Sequence, residues 1–68
     1  MEVEIMAIAE KIKELMEKEG TNQAKLAEVA GVSQPFMSYI LNGYKVPSLP
    51  VTKRIADYFK VTIDELVE

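Results

Sequence analysis

The side chains able to do chemistry in this chain are amides and hydroxyls rather than catalysts. Its 68 residues include no histidine and no cysteine. Disulfide and thiolate chemistry are therefore excluded by composition, and a zinc site would need carboxylates alone. There is no glycine-rich phosphate loop and no pair of carboxylates spaced to share an apolar pocket, so an enzyme has no candidate residues and no cofactor is implied. What remains is hydrogen-bonding recognition, densest in the run QAKLAEVAGVSQPFMSYILNG, Gln23 to Gly43. Within it Gln34, Pro35, Ser38 and Tyr39 share the outer face of a helical stretch, and no acid occurs between Glu28 and Asp57. A helix lying in a DNA major groove needs such a face, because a carboxylate there would be repelled by phosphate.

The elements that must hold this face follow from spacing. Two short helices flank Gly31-Val32-Ser33, and across so tight a turn they cross steeply instead of packing antiparallel. Ala27 is small enough for their close approach, Gly31 can take a positive φ, and Val32, Met37 and Ile40 fill the angle between them. Asn22 caps the first of the pair, which carries Leu26, Ala27 and Ala30 on one face. Ser33 caps the second, Pro35 is tolerated in its first turn, and Asn42-Gly43 ends it. Upstream, Ile5, Ile8, Ala9, Ile12, Leu15 and Met16 recur at helical spacing as far as Gly20. Downstream of a loop from Tyr44 to Pro47, Ser48 caps a helix with Leu49, Ile55, Ala56 and Phe59 expected inward. Thr62-Ile63-Asp64-Glu65 is a capping box opening a short last helix with Leu66 and Val67. The expected fold is all-α, a compact five-helix bundle forming one domain over residues 1–68, with a helix-turn-helix at about 22–42.

The net charge of −3 hides an asymmetry. Acids dominate residues 1–20 and 61–68, whereas residues 21–60 hold Lys25, Lys45, Lys53, Arg54 and Lys60 against Glu28 and Asp57 alone. A basic middle is the footprint expected of a nucleic-acid partner, although solvated helix faces produce the same pattern. The longest apolar run, Ile5 to Ala9, is far short of the roughly 20 residues of a membrane span, so no membrane association is expected. The acidic start MEVEIMA lacks the basic region of a secretory signal, and a cytoplasmic location is expected.

The series Gln23, Ala27, Gly31, Val32 and Asn42-Gly43 resembles the helix-turn-helix of the lambda repressor and Cro family, the XRE-type regulators. Pro47-Ser48-Leu49, Arg54-Ile55-Ala56 and the run from Val61 to Leu66 extend the likeness over roughly residues 5–67. The resemblance implies a bacterial or phage-encoded, nucleoid-associated repressor-like transcription regulator whose third helix, about 33–42, reads the major groove of double-stranded DNA. It also implies roles. Gln23 touches phosphate and buttresses its neighbour, Gln34 reads a base, and Ser38 bonds a base or phosphate. Pro35 and Phe36 press on a thymine methyl, Ser33 and Tyr39 flank them, Asn42 with the amides after it clamps a phosphate, and Lys45 adds charge. Plainer readings stand beside these: Gln34 as a solvated first-turn residue, Phe36 as core or partner contact, Asn42 as a helix stop.

Three positions depart from the family pattern. Lys25 stands where an acid is common and opposes the helix dipole by about a few tenths of a kcal/mol, which suits a site facing phosphate. Leu41 replaces a frequent Glu and leaves an apolar residue at the end of the third helix; Thr52 replaces a large aliphatic in the fourth, and a thin core is expected at Thr52.

A short helix reads only a few base pairs, so two-fold symmetry on a roughly palindromic operator is the expected remedy. The last helix offers Ile63, Leu66 and Val67 for a homodimer contact, or for completion of the monomer core. Asp64, Glu65 and Glu68 would repel their symmetry mates, so the dimer is expected to be weak. The alternative is a protein-interaction module on the same fold, such as an antitoxin subunit or coactivator-like adaptor, with Phe36, Tyr39 and Tyr44 facing a protein partner. The acid-free third helix favours DNA.

Overall fold

Four helices of this chain stop by the same device. In each, a residue past the helix adopts left-handed φ, and its own amide and the following one turn back onto helix carbonyls, the Schellman arrangement. Gly20, Gly31 and Gly43 do this with φ of 70°, 77° and 80°, and Lys60 with φ of 61°. The paired bonds run from Gly20 and Thr21 to Glu17 and Met16, and from Gly31 and Val32 to Glu28 and Ala27. The other two pairs run from Gly43 and Tyr44 to Ile40 and Tyr39, and from Lys60 and Val61 to Asp57 and Ala56.

These stops delimit α1 (Glu2–Glu19), α2 (Gln23–Ala30), α3 (Gln34–Leu41), α4 (Leu49–Phe59) and α5 (Ile63–Val67). The computed structural model describes the backbone of residues 2–67 and the side chains of residues 8–66, so the core role expected of Ile5 and the interface role expected of Val67 fall outside the described side chains. The starts are as local as the stops. Asn22 Oδ1 accepts from the Lys25 amide at 2.8 Å, Ser33 Oγ from Phe36 at 3.2 Å and Ser48 Oγ from Val51 at 3.4 Å. At α5 the capping box closes reciprocally: the Thr62 amide donates to Glu65 Oε1 and the Glu65 amide to Thr62 Oγ1.

The fold is all-helical, with no strand among the described residues. α2 packs on α3 and α4, α1 on α3 and α5, and α4 on α5. Each helix sends a fully buried side chain to one core: Ile12, Leu26, Met37 with Ile40, Ile55 and Leu66. Ala27, Ala30 and Ala56 let the backbones come close around them. No helix among the described residues is long and apolar enough to cross a membrane.

Two core expectations change. Leu49 is 68% exposed: it shares the helical stripe of Thr52 and Ala56 but stands at the first residue of α4, where that stripe has run past the core. Thr52 is buried, and its Oγ1 donates to the Ser48 carbonyl at 2.9 Å, so a β-branched polar residue fits this position with its hydroxyl satisfied. Leu41 joins the core cluster, which accounts for an apolar residue at the end of α3. Pro47, read from sequence only as loop, is buried as well.

Candidate nucleic-acid interface

The turn between α2 and α3 brings the first residues of both helices together. Gln23 Nε2 donates to the Gln34 carbonyl at 3.1 Å, so two helix N-termini are one hydrogen bond apart. Helix N-termini carry partial positive charge and attract anions. Neither α2 nor α3 has an acid in its first turn, nor does α4, whereas α5 carries both Asp64 and Glu65 there. The electrostatic contrast expected from the sequence is thus carried by particular helix ends.

The outward face of α3 is close to the expectation. Ser33, Gln34, Pro35 and Tyr39 are exposed and Ser38 is half-buried. Tyr39 packs edge-on against Tyr44, with ring centroids 6.5 Å apart, and Tyr44 is itself 76% exposed. Phe36 is half-buried against the core, so its ring is chiefly a packing group.

Asn42 is a helix-end residue in this structure. Its Nδ2 donates to the Ser38 carbonyl at 2.8 Å and lies 3.3 Å from Ser38 Oγ. The amides of Gly43, Tyr44 and Lys45 turn back to the carbonyls of Ile40 and Tyr39. In the free chain, the donors expected to clamp a phosphate at Asn42 and the amides after it bond to the end of α3.

The cations divide by what they touch. Lys25 lies 3.8 Å from Glu28 and Lys53 3.3 Å from Asp57, both exposed pairs within one helix. Such pairs are worth at most about 1 kcal/mol and open readily to another anion. Lys45 is exposed in the loop after α3. Arg54 differs, since its guanidinium Nη1 donates to the Ala30 carbonyl at 3.1 Å in a part-buried bond. The sequence places Arg54 with the lysines of the basic middle, and nothing local in it signals a reach to the end of α2.

At α5 the expected interface contracts. Leu66 is fully buried in the core and has no surface left for a second copy, and Ile63 is half-buried against that core. Among the described residues, the exposed large apolar side chains stand elsewhere: Tyr39, Tyr44, Val46, Leu49 and Tyr58.

A family model described as helix-turn-helix matches residues 12–66, taking in all of α2, α3 and α4, the second half of α1 from Ile12, and most of α5. No curated protein matches the chain.

Proposed function

Since this chain belongs to the helix-turn-helix family of the lambda repressor type, a family of DNA-binding regulators, we propose that it is a sequence-specific transcriptional regulator that reads the major groove with α3, as a dimer on a roughly palindromic operator. The observation that carries this reading is the acid-free face of α3 beside two tied helix N-termini. Gln34 supplies an amide able to pair with a base edge, and Ser38 a hydroxyl able to bond a base or phosphate. Pro35 and Tyr39 offer apolar surface beside them. Gln23, Ser33, Lys25 and Lys45 face phosphate, and Lys25 exchanges Glu28 for it. Phe36 and Asn42 work from behind, one packing α3 on the core and the other closing its end.

Half-sites about one helical turn apart place the reading helices about 34 Å from each other. Asp64 and Glu65 at the start of α5 would repel their symmetry mates in a contact through that helix, so the dimer is weak in solution and strengthened by DNA.

The second reading is a protein-interaction module, favoured by Tyr44, Val46 and Leu49, which are 76%, 55% and 68% exposed. Titration of a random-sequence duplex at increasing salt separates the two. Counterion release by several phosphate contacts gives a slope of log K against log salt of about −0.9 per contact, and the DNA reading expects a slope of several units. A slope near zero favours the protein partner.

A further inference from the structure

We infer that Arg54 is a positioning residue for DNA reading: from α4 it holds the turn between α2 and α3, and so the pose of α3, without touching DNA itself. The inference rests on the DNA reading above. Ala30, whose carbonyl Arg54 grips, is the last residue of α2 and hence its negative end. α2 has no basic residue in its own last turn, and α4 delivers the missing cation from 24 residues away. A bond from a charged donor is stronger than a neutral one, and the guanidinium gives it a fixed direction.

Gly31 is fitted to the same contact. Its φ of 77° already favours glycine, and a Cβ there would also collide with Arg54 Nη1. Gly31 is where the chain turns: its amide and that of Val32 return to the Glu28 and Ala27 carbonyls, and Ser33 then caps α3. The dihedrals of these three residues set the direction of α3 and the place of Gln34. Among the described residues Arg54 is the one lysine or arginine hydrogen-bonded to another helix; Lys25 and Lys53 pair within their own. Arg54 is exposed and this bond uses one of its five donors, so the salt slope distinguishes a positioning role from a phosphate contact.

The test compares the full chain with Arg54→Ala and Arg54→Lys. Three quantities are read: the ratio of affinities for a selected site and an unrelated duplex, the salt slope, and amide exchange at residues 31–34 without DNA. Arg54→Ala is expected to lower the ratio by about three- to tenfold, the scale of one lost hydrogen bond, at an unchanged salt slope, and to speed exchange at Gly31 and Val32. Arg54→Lys keeps the charge but recovers only part of the ratio, because a point charge does not replace the planar donor. A slope smaller by about 0.9 with the ratio intact makes Arg54 a phosphate ligand and overturns the inference. Full recovery by lysine, or an alanine variant with the wild-type ratio, overturns it too. A wild-type chain with no site preference sinks the DNA reading instead. The exchange measurement then still decides whether Arg54 holds the turn, and unchanged exchange would refute that.

Discussion

Gln23 and Gln34, eleven residues apart, are joined by a side-chain amide donating to a backbone carbonyl at 3.1 Å. The bond ties the start of one helix to the start of the next without using the Gln34 side chain, whose amide stays exposed. Gln23→Ala removes the tie and leaves no buried group unpaired. Its expected cost is about 0.5–1.5 kcal/mol in binding to the preferred site, with the melting temperature essentially unchanged. Fluorescence anisotropy on one duplex, alongside a thermal melt, checks both. A variant that melts early but binds normally would show that the bond serves the fold alone.

Lys25 and Lys45 test the electrostatic part. Each is exposed, and the anion Lys25 meets in the free chain is only the exposed Glu28. Lys25→Ala and Lys45→Ala are each expected to reduce the salt slope by about 0.9 while sequence preference stays as it was. An unchanged slope in both variants removes them from the interface.

The helices were legible in the sequence because their boundaries are local. Asn22, Ser33, Ser48 and the Thr62–Glu65 box each close on an amide three residues away, and Gly20, Gly31 and Gly43 each take up a φ that other residues resist. The outer face of α3 was legible for the same reason, since its period follows once the helix is placed. What escaped depends on where a helix lies in the molecule. Leu49 has an inward period but stands beyond the core, and only the docking of α5 decides for Leu66 between the two places the sequence left open, core and interface. Arg54 reaches Ala30 across 24 positions with no local signature. The bonds that the amides after Asn42 make to the end of α3 depend on the turn geometry there, which the sequence does not display.

Lys60 ends α4 in the left-handed conformation that glycine takes at the other three stops. A side chain there costs about 1–2 kcal/mol of local strain, partly offset because glycine loses more freedom on folding. Lys60→Gly is therefore expected to stabilise the chain by about 1 kcal/mol, a rise of roughly 4–8 °C in Tm for a domain of this size. Thermal unfolding by circular dichroism reads it directly. A lower Tm would mean that the Lys60 side chain contributes more than the strain it carries.

The central claim is that α3 reads sequence through Gln34, twice per operator. Selection of bound duplexes from a random pool, at stated salt, with the wild-type chain and with Gln34→Ala, tests it most directly. The wild-type chain should enrich a roughly two-fold symmetric site whose half-sites are centred about 34 Å apart. Gln34→Ala should lose about 1–3 kcal/mol on that site and relax one or two base pairs in each half. No enrichment, or a single half-site bound by one protomer at saturation, would contradict the account; so would a Gln34 variant that weakens every sequence alike.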